Sequence, residues 1–301
     1  MKKISAVLCL AFLCFGLAGA AMAEPMKIGI LPVLDTLPLQ VADRDGLFKE
    51  HGLDVELVPF ASAMERDTAM LSGNLDGYFG DLIATLLLIE NNVPMRIATV
   101  SFATDTEQRM FALVKSGECK KSGDEPLTVG LSFTTIMEYL LDTMVPLSGA
   151  KDIPLGRMEV KKMPIRLQML LEGQIDSAML PEPLATLAES KGGTILATDS
   201  ALPEGTPLTV ICLHQDKAAQ VEAFLAAYAQ AVKNINEHPE DYREFMAKSC
   251  RIPAPLAPTF PIYRYPEPVL PSEADITPVQ EWMIAKNMLK KALAYDTCVF
   301  Q

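Results

Sequence analysis

A repeat with a spacing of about 100 residues restricts the possible folds of this chain more than any other feature of its sequence. Each copy contains a short apolar strand with a central glycine, a second strand-like run, and a helix that closes on a Gly-x-x-Asp sequence. Matches at three places with nearly one offset predict two similar halves rather than a chance likeness of short motifs. The matched segments are 27–31 (KIGIL) with 128–131 (TVGL), 54–60 (DVELVPF) with 158–164 (MEVKKMP), and 70–76 (MLSGNLD) with 170–176 (LLEGQID).

Strands and helices are predicted to alternate within each half. In the first half, helices are expected at residues 38–51 and 63–72, followed by Gly52 and Gly73, where a left-handed residue closes a helix. A strand, a helix and a second parallel strand in succession require a right-handed crossover. The sequence therefore predicts an α/β fold with two lobes, each built on a mostly parallel sheet.

The chain is predicted to cross between the lobes twice. Residues 110–114 (MFALV) and 208–213 (LTVICL) are β-rich and are interpreted as a pair of hinge strands. Lobe 1 would then consist of residues 24–112 and 206–301, and lobe 2 of residues 113–205. In the C-terminal part, helices are expected at 218–237, 239–248 and 278–294, and the proline-rich stretch 253–271 is expected to be irregular.

The first 23 residues have the pattern of a secretory signal peptide. Lys2 and Lys3 precede an apolar stretch at residues 7–17, and small residues end the segment at Ala21-Met22-Ala23. This order predicts cleavage after Ala23 and a periplasmic mature protein. The alternative is an uncleaved membrane anchor, since residues 4–23 come close to the length that spans a bilayer.

Charge and cysteine spacing exclude several classes of function. The formal net charge of −12 disfavours binding to the phosphate backbone of nucleic acids. Four cysteines follow the predicted cleavage site without a CxxC pair, which argues against a zinc or thioredoxin-like site. In an oxidising compartment we expect a disulfide between Cys250 and Cys298, with buried free thiols as the alternative. The remaining two cysteines are Cys119 and Cys212.

The sequence lacks the common signatures of catalysis. None of the three histidines has HExxH spacing, and GxSxG, GxxxxGK[ST] and GxGxxG sequences are absent. We therefore expect no metal, no cofactor and no enzymatic activity.

Residues 37–56 (LPLQVADRDGLFKEHGLDVE) resemble the opening of a known family of solute-binding proteins, those for nitrate, sulfonate, taurine and thiamine-pyrimidine precursors. The resemblance continues through the Gly-x-x-Asp sequences at 73–76 and 173–176, through 181–183 (PEP) and through 238–240 (HPE). It implies a type II periplasmic binding-protein fold and a monomeric substrate-binding component of an ABC importer. Its implied partners are a small-molecule ligand and an ABC permease in the inner membrane.

Two other classes of function remain open at this point. One is an enzyme on the same scaffold that acts on a small carboxylate and resembles menaquinone-pathway dehydratases. The other is a ligand-sensing module that docks on a membrane receptor.

Ligands of open α/β sheets bind beyond the carboxyl ends of the strands. Ser132, Thr134 and Thr135 are the strongest candidates, because their hydroxyls and the backbone N–H groups lie at a predicted helix start, which favours an anionic or carbonyl oxygen. Ordinary N-capping by these residues is the alternative. The full set of candidate ligand-binding residues is Asp35, Thr36, Leu37, Phe60, Ser62, Asp81, Ser101, Ser132, Thr134, Thr135 and Glu182.

The expected ligand is a small polar or heteroaromatic molecule. Asp35, Asp81 and Glu182 favour a ligand that offers an ammonium or ring N–H group. A flat ring would stack on phenylalanines near the strand ends. A sulfonate or nitrate is less favoured, because no basic residue that could neutralise it is recognised at a strand end. These phenylalanines are Phe60, Phe79, Phe102 and Phe133.

Overall fold

The computed structural model describes residues 24–121 and 125–301, so the predicted signal peptide lies outside the described residues. None of the described helices is both long and apolar enough to cross a membrane. The strands are β1 (Met26–Ile30), β2 (Val55–Pro59), β3 (Gly77–Asp81), β4 (Met95–Ala103), β5 (Phe111–Lys115), β6 (Leu127–Leu131), β7 (Leu155–Glu159), β8 (Ser177–Pro181), β9 (Thr194–Thr198) and β10 (Pro207–His214).

Helices flank both faces of the strands. They are α1 (Leu37–Arg44), α2 (Leu47–Glu50), α3 (Ala63–Leu71), α4 (Leu82–Glu90), α5 (Ile136–Thr143), α6 (Met163–Leu171), α7 (Leu184–Ser190), α8 (Val221–Glu237), α9 (Arg243–Ser249), α10 (Glu273–Ala285) and α11 (Tyr295–Cys298). Short 3₁₀ helices occupy Leu34–Thr36, Val145–Leu147, Asp199–Ala201, Gln215–Gln220 and Pro239–Tyr242.

Within the described residues the strands form two five-stranded sheets with the same topology. The first has the order β2-β1-β3-β10-β4 and the second the order β7-β6-β8-β5-β9. In each sheet the first three strands pair in parallel, and the fourth, β10 or β5, is antiparallel to both of its neighbours. Along the chain, that strand is the first strand after the crossing from the other sheet. The predicted α/β class with two lobes is confirmed, with each sheet mixed rather than purely parallel.

The crossings between the lobes lie outside the two strands that were interpreted as hinges. β5 and β10 are inner strands of the two sheets, and the connections are residues 104–110 and 199–206. The Thr104 N–H donates to the carbonyl of Thr206 at 2.9 Å, and the Thr206 N–H donates to Thr104 Oγ1 at 2.9 Å. The two connections therefore run side by side. β5 begins at Phe111, two residues before the predicted lobe boundary at residue 113.

Several element boundaries differ from the sequence prediction for local reasons. The helix expected at 38–51 is divided into α1 and α2 by Gly46, whose φ is 75°. Gly52 and Gly73 have the predicted left-handed conformation. The helix expected at 278–294 instead begins at Glu273, because Ser272 and Asp275 form a reciprocal capping box ahead of it. Residues 253–271 contain no helix or strand, as predicted.

The second strand of lobe 2 was placed four residues too late. The prediction paired 54–60 with 158–164, whereas β7 ends at Glu159 and α6 begins at Met163. Pro164 lies in the first turn of α6, where its fixed φ and missing N–H suit a helix. The offset between the halves is therefore 100 residues at this strand as well as at the following helix.

All four cysteines of the described residues are free thiols, so the expected Cys250–Cys298 disulfide is wrong. Cys250 Sγ contacts the carbonyl of Val33, whereas Cys298 Sγ contacts the carbonyl of Ala294. Nearness in sequence did not bring the two residues into the geometry that a disulfide requires. Cys212, Cys250 and Cys298 are buried, which agrees with the alternative of buried free thiols.

Candidate ligand-binding site between the lobes

A pocket of about 500 Å³, including its mouth, lies between the two lobes at the carboxyl ends of the strands. Lobe 1 contributes residues that follow β1, residues at the end of β3, and α3. Lobe 2 contributes residues that follow β6, the end of β8, and the starts of α5 and α6. The polar side chains of the lining are Asp35, Arg66, Asp81, Thr209, Ser132, Thr135, Lys161 and Arg166.

Arg66 and Arg166 are the largest fully buried side chains among the described residues, with exposed fractions of 1% and 0%. Each is the fourth residue of its helix, and each packs beneath the glycine of the repeated strand. A Cβ atom on Gly29 would lie 3.1 Å from Arg66 Cγ, and one on Gly130 would lie 3.3 Å from Arg166 Cγ. The repeated glycines therefore leave room for two equivalent arginines that approach the pocket from opposite lobes.

Arg66 has acidic partners. Its Nε and Nη2 donate to Asp67 Oδ1 at 2.9 and 2.7 Å, and its guanidinium lies 4.6 Å from the centroid of the Tyr78 ring. Burial lowers the pKa of Arg66, but its interactions with Asp67, Tyr78 and Asp81 outweigh burial and raise it above its ordinary value. The positive charge in lobe 1 is thus compensated by neighbouring carboxylates.

Arg166 is held by neutral acceptors instead. Nε and Nη2 donate to the carbonyl of Val160 at 2.9 and 2.7 Å, Nη1 donates to the carbonyl of Met179 at 2.8 Å, and Nη2 also donates to Ser132 Oγ. Among the described residues no carboxylate forms an ion pair with it. Burial lowers the pKa of Arg166 to about 10, so the side chain is positively charged at neutral pH.

Asp35 is a buried carboxyl group in the same pocket, with 2% of its surface exposed. Within the described residues neither of its oxygens has a hydrogen bond of acceptable geometry. Burial raises the pKa of Asp35 to about 7, against the opposing influence of the Thr209 hydroxyl and the Arg66 charge. A buried acceptor without a donor carries a substantial free-energy cost.

Asp81 lies where the two lobes approach each other. Its Oδ1 accepts from the Ala84 N–H at 2.8 Å and so caps α4. Burial raises the pKa of Asp81 to about 6, while the Arg66 charge and the N–H groups of Ala84 and Ile136 oppose this. Ile136 is the first residue of α5, so a carboxyl of lobe 1 lies near a helix start of lobe 2.

The structure brings together a part of the predicted ligand-binding set. Asp35, Asp81, Ser132 and Thr135 line the pocket. Thr134 lines an adjoining hollow in the outer part of the cleft, together with Ser132, Thr135 and Lys161. Of the four phenylalanines proposed for stacking, Phe79 lines the pocket.

The remaining predicted residues lie outside the pocket lining, where they have structural partners. Ser62 caps α3, Ser101 donates to Thr209 Oγ1 at 2.9 Å, and Thr36 Oγ1 donates to the carbonyls of Leu31 and Val33. Leu37 and Phe60 pack in or against the apolar core. Glu182 is fully buried and accepts from Arg109 Nε at 2.7 Å and from Thr186.

The start of α5 has few free N–H groups to offer a ligand. The Met137 N–H donates to Thr135 Oγ1 at 3.2 Å, and the Thr134 N–H donates to Glu138 Oε2 at 2.9 Å. Ordinary N-capping therefore accounts for Thr135, and Thr134 adopts a left-handed φ of 56° beside it.

No basic residue is recognised at a strand end from the sequence, and the two buried arginines of the pocket project instead from helices α3 and α6. The rule that places ligands beyond strand ends does not identify them. The repeat contained the signal, because the 100-residue offset of 70–76 and 170–176 continues upstream to residues 66 and 166.

Residues 19–251, which are most of the chain, match the NMT1-like family. The chain belongs to the NMT1-like family. Over 239 residues it is 25% identical to the nitrate import ATP-binding protein NrtC of Synechocystis; the match covers 72% of this chain and 35% of that protein. The chain thus spans about a third of the length of this relative.

Solved structures share the fold at low identity. The ligand binding component of an ABC-type import system from Staphylococcus aureus superposes with a TM-score of 0.73 and 17% identity, covering 91% of this chain and 96% of that one. The periplasmic aliphatic sulphonate binding protein SsuA from Escherichia coli gives 0.72 and 15%, covering 92% of each chain. The predicted resemblance to the nitrate- and sulfonate-type binding proteins and the predicted fold are confirmed.

Proposed function

We propose that this member of the NMT1-like family is the periplasmic substrate-binding component of an ABC importer and binds a small molecule between its lobes. The observation that carries this proposal is the composition of the pocket. Both lobes contribute buried polar groups that lack a full set of partners, above all the charge of Arg166 and the carboxyl of Asp35. Such groups are costly to bury, and a bound ligand would compensate them.

The arrangement of the lobes supports a pocket that closes around its ligand. Two adjacent connections join the lobes, and at the surface Lys162 Nζ of lobe 2 lies 3.1 Å from Glu65 Oε1 of lobe 1. This ion pair is exposed, so it contributes at most about 1 kcal/mol. A ligand bound between the lobes would add contacts to both of them.

The predicted export agrees with the same role. The predicted signal peptide would deliver the mature chain, beginning at Glu24, to the periplasm as a monomer. There the two lobes would present the closed, loaded pocket to a permease in the inner membrane. The ligand would be released unchanged, which distinguishes this role from that of an enzyme on the same fold.

Thermal unfolding of the exported chain with a panel of small molecules tests the proposal. A ligand that binds the folded state at one hundred times its Kd stabilises it by about 2.7 kcal/mol. We expect a rise in the thermal midpoint with at least one compound, 1:1 stoichiometry in calorimetry, and recovery of unaltered compound by mass spectrometry. Consumption of the compound would favour the enzyme instead. Absence of any rise across amino acids, sulfonates, carboxylates, nitrate and pyrimidines would contradict the proposal.

A further inference from the structure

Comparison of the two copies of the repeat shows that lobe 2 lacks the counter-charges that lobe 1 has. Asp67, which pairs with Arg66, corresponds to Leu167 at the same 100-residue offset. Asp81, the second carboxyl near Arg66, corresponds to Pro181, since each ends the third parallel strand of its sheet. The buried charge of Arg166 therefore has no counterpart to the acids that neutralise its equivalent.

Both arginines retain N–H donors that are not used in hydrogen bonds and can bind an anion. A guanidinium has five N–H donors. Within the described residues Arg66 uses two of them, and Arg166 uses four, with one Nη1 donor remaining. Ser132 Oγ accepts from Arg166 and donates to the carbonyl of Lys161 over a long 3.4 Å, so its hydroxyl can turn toward a ligand. An oxyanion between the two guanidiniums would link the lobes.

The Asp35 carboxyl is a second polar group of the pocket, and in its ionised form it would repel a simple anion. It lies in the same pocket as the arginines, and within the described residues neither of its oxygens has a hydrogen bond of acceptable geometry, although the Thr209 hydroxyl acts to lower its pKa. A ligand that brings a positively charged nitrogen would supply this carboxyl with both a donor and a counter-charge. Apolar side chains complete the walls between the polar groups and would contact the carbon skeleton of the ligand; they include Leu31, Val33, Phe79, Phe111 and Met163.

We propose that the ligand is a compact zwitterion whose oxyanion is bound between Arg66 and Arg166 and whose protonated nitrogen donates to Asp35. This inference rests on the proposed function and narrows it to one ligand class. Nitrate and unsubstituted sulfonates, the anions associated with several relatives, would satisfy the arginines alone. The pair formed by Asp35 and the ammonium would supply the additional selectivity.

Calorimetry with matched pairs of compounds tests the inference. The pairs differ only by an amino group: ethanesulfonate with 2-aminoethanesulfonate, propionate with 3-aminopropionate, and butyrate with 4-aminobutyrate. For the length that fits best, we expect the amino compound to bind at least about tenfold more tightly. In Asp35→Asn this difference should fall below about threefold, and in Arg166→Met both members of the pair should bind at least about tenfold more weakly. Asp54→Asn, an exposed substitution directly before β2 and outside the pocket lining, is the matched control and should change neither value.

Proton release offers a readout that a general loss of folding would not produce. At pH 7 the Asp35 carboxyl is about half protonated, and pairing with an ammonium would lower its pKa and expel the proton. The calorimetric enthalpy of the amino compound should therefore depend on the ionisation enthalpy of the buffer, and this dependence should vanish in Asp35→Asn. The titratable groups whose charges couple to Asp35 are Asp199, Arg66, Tyr228, Cys250, Tyr263 and Tyr265.

The outcomes separate this inference from the proposed function. Equal or tighter binding of the amino-free anions, or unchanged discrimination in Asp35→Asn, would overturn the zwitterion. Binding of only nitrate or a neutral heterocycle would also overturn it, while leaving the importer role intact. Failure of every small molecule to bind would overturn both.

Discussion

Arg66 and Arg166 occupy equivalent positions 100 residues apart and line one pocket from opposite lobes, but only Arg66 has a carboxylate partner. We expect this asymmetry to separate their roles, so that Arg66 stabilises its lobe and the charge of Arg166 interacts with a ligand. Its consequences can be measured in the ligand-free and the ligand-bound protein.

Substitution of the two arginines should have different effects on the ligand-free protein. Arg66→Met leaves the carboxylates of Asp67 and Asp81 without their cation, so we expect a loss of about 2 kcal/mol or more in the free energy of unfolding. Arg166→Met leaves two carbonyls without donors but also removes an uncompensated buried charge, so the loss should be smaller. Urea unfolding of both variants measures the difference. A larger loss in Arg166→Met would show that its charge is compensated after all.

Trp282 is the single tryptophan of the chain and should report closure of the lobes. It lies on α10, which packs against α4 of lobe 1, whereas its Nε1 donates to Asp142 of α5 in lobe 2 at 2.9 Å and its ring meets Tyr139 edge to face. A movement of one lobe relative to the other would change these contacts. We expect ligand to shift the intensity or wavelength of the intrinsic emission, and Trp282→Phe to abolish the signal. Unchanged emission at calorimetric saturation would mean that α5 and α10 move as one unit.

The cysteines should react as free thiols of unequal access. Cys119 is partly exposed, whereas the other three are buried, and burial raises the pKa of Cys212 and Cys250 to about 12. In the chain from Glu24 onward without reductant we expect iodoacetamide to modify one thiol quickly, and all four only after denaturation. Peptide mass spectrometry assigns the sites. A Cys250–Cys298 cross-link in the denatured, non-reduced chain would contradict the structure.

The stability of the ligand-free protein should decrease as the pH rises from about 4 to about 7. Burial raises the pKa of Asp35 and Asp199 to about 7 and that of Asp81 to about 6. For an acid with a raised pKa in the folded state, the contribution to stability is complete below the unfolded pKa and is lost as the pH rises through the folded pKa. Each group contributes a slope of about 1.4 kcal/mol per pH unit within its window.

Asp35→Asn should reduce that slope, because one of the three carboxyl groups no longer titrates. Urea unfolding at pH 4.5, 5.5, 6.5 and 7.5 compares the variant with the wild type. If the free energy of unfolding changes with pH in the same way in the variant and the wild type, Asp35 has the same pKa in the folded and unfolded chains.

The repeat was sufficient to predict two α/β lobes because the short strands, the glycine caps and the Gly-x-x-Asp sequences are local features. It was less reliable where two local patterns compete. Residues 158–164 alternate like a strand, yet Pro164 favours a helix start, and the structure follows the proline.

The site was only partly predictable, for a physical reason. Strand-end positions identified Asp35, Asp81, Ser132 and Thr135, since the topology alone places them at the cleft. The arginines lie in the middle of helices, where most arginines point to solvent, so their burial depends on tertiary packing beneath Gly29 and Gly130. Likewise, Glu182 forms an ion pair with Arg109, which is 73 residues away in sequence, and the local sequence does not show this partner.

Native mass spectrometry of the chain from Glu24 onward, after incubation with a small-molecule extract of the cells that produce it, is the most direct measurement. We expect one small molecule per chain in the wild type and in Asp54→Asn, and loss of that adduct in Arg166→Met. A wild-type chain without an adduct, or the same adduct in Arg166→Met, would contradict binding in the pocket between the lobes.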